Sequence, residues 1–239
     1  MELTSTNNDK VKFWQKLSQK KYRDEEKMFL VEDEHLVNEA LKNGIVKEII
    51  TLDKNASYNI DTYYVNEKIM KLISNQVTSA KVIAVCNTLE EKEVNGNVLV
   101  LDKLQDPGNL GTIIRSAVAF NFDSIIISDD SVDLYNPKVV RASEGMLFYI
   151  NIIRTDINEF LNNLDSDYTK ITTDVNDGRN IKDVKFNKCA IVIGNEGNGV
   201  SEEIKNTCDE KVYIKMNNNC ESLNASVSAS ILMYEVSNG

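Results

Sequence analysis

At 239 residues, 42% hydrophobic and 27% charged, the chain can bury a substantial core as a soluble globular protein of one large or two small domains. No apolar run reaches membrane-spanning length, and the opening M-E-L-T-S-T-N-N-D-K has neither a basic n-region nor an apolar h-region, so the expectation is a cytoplasmic protein with no membrane partner. A formal net charge of -10 argues against indiscriminate binding to nucleic-acid backbone, while leaving room for a local basic face.

In chain order, Val11, Trp14 and Leu17 recur at helical spacing after the capping residues Asn8 and Asp9, which predicts an opening amphipathic helix. Residues 10–27 hold Lys10, Lys12, Lys16, Lys20, Lys21, Arg23 and Lys27 against few acids, either a solvated helix face or a nucleic-acid contact. A strand is expected at 28–31, a helix at 34–42 stopped by Asn43 and Gly44, and a strand at 46–51. A helix at 67–74 and a strand at 81–85 complete a small alternating α/β domain over residues 1–90. The text then becomes charged and poor in large apolar residues, with an Asn-Gly turn signal, and residues 91–97 are read as a linker.

From Val98 to the end, residues 98–239, the pattern is more regular. Strand V-L-V-L, loop D-K-L-Q-D-P-G-N-L-G, helix T-I-I-R-S-A-V-A-F and strand S-I-I-I-S form a βαβ unit. Further helices are expected at 137–142 and 158–164, and strands at 148–152, 170–174 and 212–216. A last helix is expected at 223–236. The stretch I-V-I-G-N-E-G-N-G-V-S, residues 191–201, reads as a buried strand opening into a glycine loop, with Ser201 capping the next helix. Strands alternating with helices imply a mostly parallel sheet covered on both faces, and such a loop at a strand's carboxyl end is where these sheets bind ligands. A glycine-rich turn with no ligand is the plain alternative.

Cys86, Cys189, Cys208 and Cys220 show no C-x-x-C spacing, and His35 is the only histidine, so no metal site is expected and the thiols read as reduced and structural. His35, in E-D-E-H-L-V at a helix start, reads as a surface or capping residue.

Three polar loops remain: D-P-G-N-L-G-T-I-I-R, with Asn109 ahead of the helix and Arg115 inside it among apolar neighbours; G-N-E-G-N-G, with Glu196 among glycines; and N-N-N-C-E-S-L-N-A-S, where Ser222 or Asn224 can cap the last helix. An arginine among apolar neighbours must snorkel or find a buried partner. These three stretches, in this order, resemble the motifs of the SpoU (TrmH) RNA 2'-O-ribose methyltransferases of the SPOUT class. The segments T-S-T-N-N-D-K-V-K-F-W-Q-K-L and K-K-Y-R-D-E-E-K-M-F-L-V-E-D-E-H-L-V-N-E-A-L are similar to the substrate-binding domain of many members, which is like certain RNA-binding ribosomal proteins.

The resemblance implies an α/β domain with a trefoil knot, a homodimer, and binding of S-adenosylmethionine. It assigns the cofactor to Gly194, Asn195, Glu196, Gly197, then Ile214 and Met216, then Leu223 and Asn224, with Thr172 and Thr173 near the same pocket. It assigns catalysis to Arg115, Asn109, Glu196, Ser222 and Asn224, and RNA contact to Lys10, Lys12, Lys20, Lys21, Arg23 and Arg115. The chain departs from the family at Lys215, where proline is common, and at N-N-N-C, where glycine is frequent. Those departures bear on the shape of the adenine pocket.

A guanidinium keeps its proton far above neutral pH, so Arg115 is read as a phosphate binder that orients the ribose hydroxyl and lowers its pKa; whether it also takes the proton stays open. Ribosomal RNA is the favoured substrate, by the two-domain layout. The alternatives are a transfer-RNA or base methyltransferase of the same class and a non-catalytic RNA-binding protein that keeps the fold. A nicotinamide-binding enzyme would need G-x-G-x-x-G in the first βα turn, which G-N-E-G-N-G matches in neither spacing nor position.

Overall fold

The computed structural model describes residues 1–76, 78–174, 177–195, 197, 199–217 and 219–238. The chain divides into two compact units, Met1–Glu90 with Asp133–Tyr149, and Glu91–Val132 with Ile150–Gly239.

In the first unit, α1 (Asp9–Lys16) begins where the Asn8 side chain accepts from Lys10 N. Its buried Val11 and Trp14 join Ile69, Met70 and Ile73 of α4 (Glu67–Ile73) over one face of a five-stranded sheet. That sheet has the order β1 (Glu2–Leu3), β4 (Asp61–Val65), β3 (Val46–Thr51), β5 (Val82–Asn87), β2 (Met28–Glu32). β1, β4 and β3 run parallel, and β5 pairs antiparallel with both β3 and β2. The helix α3 (Glu34–Lys42) packs on β5 and β2. Exposed His35 donates its backbone N–H to the capping carboxylate of Asp33, 3.2 Å away.

Two elements of this unit escape a reading by hydrophobic period. The helix α2 (Lys20–Glu26), K-K-Y-R-D-E-E, buries only Arg23, and Lys20–Asp24 and Lys21–Glu25 pair along its surface. Strand β4 leaves most of its side chains half-buried or exposed because the sheet beyond it is only the two residues of β1.

Segment 133–149 was expected in the second domain and packs instead with the first unit. There α6 (Pro137–Ala142) lies against β2, the Tyr135 hydroxyl accepts from Leu89 N at 2.8 Å, and the Tyr135 ring meets Phe29 at 4.5 Å. A 3-10 turn at Met146–Tyr149 follows, with Phe148 buried and the Tyr149 hydroxyl donating to Glu39 at 2.6 Å. This turn takes the place of the strand expected at 148–152, which starts only at Asn151.

In the second unit, seven parallel strands have the order β10 (Arg179–Asn180), β12 (Glu210–Tyr213), β9 (Thr169–Thr173), β11 (Cys189–Ile193), β6 (Val98–Leu101), β7 (Ser124–Ile127), β8 (Asn151–Arg154). Every residue of β6, β7 and β11 is buried, as a sheet covered on both faces requires. Val98, Val100, Ala190 and Val192 pack with Ile157 and Leu161 of α7 (Ile157–Asn163) and with Ile204 of α8 (Glu202–Thr207). The two-residue strand period turns Leu99, Leu101, Ile125 and Ile191 to the opposite face. There α5 (Pro107–Ala119) and α9 (Ala225–Asn238) pack together, joined by a 2.7 Å bond between the Ser116 and Ser230 hydroxyls.

Residues 91–97, expected as a linker, are fixed within this unit: Lys92 N donates to Asn151 Oδ1 and Asn151 Nδ2 donates to Lys92 O, both at 2.9 Å. Arg154 donates to the carbonyls of Ser128, Asp129, Ser131 and Val132 at 2.6–3.0 Å and fixes the turn after β7. Among the described residues, no helix is long and apolar enough to cross a membrane.

Candidate active site

The carboxyl ends of β9, β11 and β12 open onto a cleft of about 460 Å³, the size range of small-molecule sites. Its first wall is the loop after β11. Asp102 N donates to Ile193 O at 2.9 Å, and then the chain folds back so that Gly199 N meets Asn195 O at 2.9 Å. The Asn195 side chain donates to Lys103 O at 3.0 Å and accepts from Gly197 N at 2.7 Å. Asp102 itself is buried, which pushes its carboxyl pKa up, opposed by Lys103 and by a backbone hydrogen bond from Ser201.

The glycines of this loop serve different ends. A Cβ on Gly194 would lie 2.0 Å from the carbonyl carbon of Gly199, so no side chain fits without breaking the fold-back. Gly199 has φ +66°, which favours glycine, and Gly197 would meet only the Asn195 side chain, at 3.3 Å. Gly194, which the resemblance assigns to the cofactor, lines the cleft, and the side chain it lacks would meet the loop's own backbone.

The second wall comes from the segment between β12 and α9: Ile214, Met216, Ser222 and Leu223 line the cleft. The strand expected to run to 216 ends at Tyr213, so Ile214 and Met216 belong to this irregular segment. Asn224 does not line the cleft. Its Oδ1 accepts from Ser226 N at 2.9 Å and Val227 N at 3.4 Å, capping α9, while its Nδ2 donates to Asn109 Oδ1 at 3.1 Å.

That last bond joins the first polar motif to the third. Asn109 was expected ahead of its helix and lies inside it: Asp106 is the N-cap, accepting from Asn109 N at 2.8 Å, and Pro107 takes the first turn, where its missing N–H costs nothing. Arg115, expected to snorkel or to find a buried partner, is exposed on α5, and among the described residues no hydrogen bond or ion pair holds it. Sequence neighbours Ile113 and Ile114 are buried because they lie on the other side of the helix.

Thr173 lines the cleft, whereas Thr172 is fully buried and turned away by the strand's period, its Oγ1 without a hydrogen-bond partner among the described residues. Glu196 lies outside the described residues. Sequence reasoning missed Asp174 and Lys205, which line the cleft 3.4 Å apart; the signal available was a carboxylate just past the end of a strand, where ligands bind.

In the first unit, two of the residues expected to touch RNA are held by acids of the protein. Lys10 pairs with Glu48, which also accepts from Trp14 Nε1 at 2.8 Å, and Arg23 is 4% exposed, paired with Asp133 and donating to Leu17 O at 2.8 Å. Arg23 is therefore an internal partner, whereas the Lys10 side chain stays 44% exposed beside its acid. Lys12, Lys20 and Lys21 stay exposed, beside Asp9, Asp24 and Glu25.

The model of the SpoU rRNA methylase family matches residues 96–234, and an MRM3-like substrate binding domain matches residues 8–84. The chain belongs to the SpoU rRNA methylase family. It is 35% identical to the Bacillus subtilis 23S rRNA (guanosine(2553)-2'-O)-methyltransferase RlmP, with 98% of each chain covered. An AdoMet-bound rRNA methyltransferase from Sinorhizobium meliloti superposes with a TM-score of 0.88 at 27% identity, covering 98% of this chain and 96% of that one. A structure of an RNA 2'-O ribose methyltransferase gives 0.81 at 28% identity, covering 98% and 97%.

Proposed function

We propose that this SpoU protein methylates a ribose 2'-hydroxyl of ribosomal RNA, with S-adenosylmethionine as donor. The observation that carries this reading is the meeting of three separated motifs. The glycine loop and the Ile214–Leu223 segment wall one cleft, and the Asn109–Asn224 bond ties the helix bearing Arg115 to the segment's end.

The residues present fit such a cofactor. Ile193, Val200, Ile214 and Leu223 offer apolar surface to an adenine, and the backbone of Gly194, Asn195 and Gly197 offers hydrogen-bonding groups beside it. When bound, the cofactor supplies an electrophilic methyl group on a sulfonium. The protein's task is then to place a weak nucleophile in line and ease the loss of its proton. Exposed Arg115 has a guanidinium that no described residue holds, suited to bind the phosphate next to the target ribose, which orients the hydroxyl and lowers its pKa. Ser222 lines the cleft, and the Asn109–Asn224 pair fixes α5 against the start of α9.

Our reading extends to assembly. Val227 and Tyr234 stand 46% and 52% exposed on α9, an apolar face suited to a second copy of this chain. The family resemblance supports a trefoil knot in the segment that leads from β12 to α9, and an rRNA substrate supports a cytoplasmic enzyme.

Mapping ribose methylations in total RNA with and without the gene tests the reading, together with titration of the purified protein with S-adenosylmethionine. One lost 2'-O-methyl site in rRNA is the expected result. A complete set of rRNA methylations in the deletion strain, with no binding of the cofactor, would overturn it.

A further inference from the structure

The cleft carries a charge pattern that its motifs do not require. Among the described lining residues, the side chains charged at neutral pH are Asp174, Lys205 and Glu221, a net charge of minus one. Asp174 and Lys205 are the sheltered ones, with side chains 11% and 18% exposed. Lys205 Nζ sits 3.4 Å from Asp174 Oδ2 and donates to Glu202 Oε1 at 2.8 Å, so its positive charge is already answered twice within the protein. These carboxylates, the hydrogen bond to Glu202 first, raise the Lys205 pKa and hold its ammonium in the protonated form. The other Asp174 oxygen accepts from Asp177 N at 3.4 Å, which fixes the carboxylate at the end of β9.

Methyl transfer changes the charge of the bound molecule and leaves that of the cleft unchanged. The donor has a sulfonium and an ammonium against one carboxylate, a net positive charge. When the C–S bond breaks, its electron pair stays on sulfur, the methyl carbon bonds to the ribose oxygen, and the hydroxyl proton passes to water. The bound product is then a neutral thioether. In a sheltered cleft a fixed charge a few ångströms away is weakly screened, so a net negative lining favours the donor over its product.

We propose that Asp174, oriented by Lys205, is a specificity-determining residue of the cleft, favouring the sulfonium donor over the thioether product. This rests on the reading of the cleft as the cofactor site.

The test is calorimetric titration of the full-length protein with S-adenosylmethionine, S-adenosylhomocysteine and sinefungin, which carries an amine in place of the methylsulfonium. Asp174→Asn should reduce the preference for donor over product roughly tenfold, or about 1.4 kcal/mol, with the product's Kd within about twofold of wild type. Sinefungin should follow the donor. Lys205→Met should shift the preference the opposite way, and Glu221→Gln, at an exposed position, should repeat the Asp174→Asn shift more weakly even if the latter fails to fold. Equal weakening of all three ligands, or an unchanged preference in every variant, would overturn the proposal. A wild-type protein that binds none of the three would instead remove the cofactor reading on which it stands.

Discussion

Two arginines on two helices show how far side-chain fate depends on helix face. Arg23 lies in a run of charged residues, K-K-Y-R-D-E-E, yet it is buried, bonded to Leu17 O and paired with Asp133. Arg115 lies among isoleucines, yet it is exposed and unpaired among the described residues. Composition along the chain points the wrong way for both. In α2 the charged neighbours pair along the surface and leave one position turned inward, whereas in α5 the apolar neighbours take the inward stripe and leave Arg115 outside. A buried guanidinium holds structure together, and an exposed one with nothing to hold is available for a phosphate.

The largest expected effect sharpens this contrast on the Arg115 side. Arg115→Ala should cut methyl transfer about 10³-fold while leaving the Kd for S-adenosylmethionine within about twofold and stability within about 0.5 kcal/mol. Single-turnover assays, cofactor titration and urea unfolding on the same preparation read all three. Lost cofactor affinity with near-normal turnover would place Arg115 in the cofactor site.

Arg23→Ala should do the reverse. It strands the Asp133 carboxylate, 14% exposed, and should lower unfolding free energy by about 3–5 kcal/mol, while the folded fraction binds cofactor as wild type does. Removing both charges, Arg23→Met with Asp133→Leu, should recover much of the loss, since apolar replacements of a buried pair are often tolerated. If Arg23→Ala unfolds at the wild-type urea concentration and instead loses RNA affinity, the contrast collapses and Arg23 returns to the RNA-contacting set.

The same contrast shows what the sequence made legible. Elements with an apolar period or a capping signal stand where they were read: α3 at Glu34–Lys42, β3 at Val46–Thr51 and α6 at Pro137–Ala142 match residue for residue. Elements whose stability comes from ion pairs or strand neighbours, α2 and β4, had no such signal. The start of α5 was hidden because Pro107 and Gly108 read as loop residues, although Pro suits a first turn and Asp106 caps it. In the cleft, motif residues were legible by resemblance. Asp174 and Lys205 were not: the place of Asp174 past a strand end was a signal, but nothing along the chain shows that the end of β9 faces Lys205 of α8 across a space.

A smaller effect tests whether the start of α5 works as part of the site. Asn109→Ala and Asn224→Ala each remove one end of the 3.1 Å bond between the first and third motifs. Each should lower methyl transfer, and the double variant should be no worse than the weaker single one, giving a coupling of about 1 kcal/mol in a double-mutant cycle. Additive losses would mean that the two asparagines act separately, Asn224 as the cap of α9. Coupling would place the exposed arginine on a helix whose start the third motif positions.

The smallest effect concerns the lysines around Arg23. Lys12, Lys20 and Lys21 are exposed, and their ion pairs with Asp9, Asp24 and Glu25, at 3.4–3.8 Å, are of the solvent-screened kind that contributes little to stability. Replacing all three with alanine should therefore change unfolding free energy by less than about 0.5 kcal/mol. It should also flatten the dependence of RNA affinity on salt by about two units of log–log slope, the signature of lost phosphate contacts. Lys10→Ala should behave in the opposite sense, costing about 1 kcal/mol of stability because Glu48 keeps only Trp14, and leaving the salt slope unchanged. If instead Lys10→Ala flattens the slope and the triple variant does not, a cation held close to an acid of the protein would be the one RNA reaches, and a close ion pair would cease to mark structural charge in this protein.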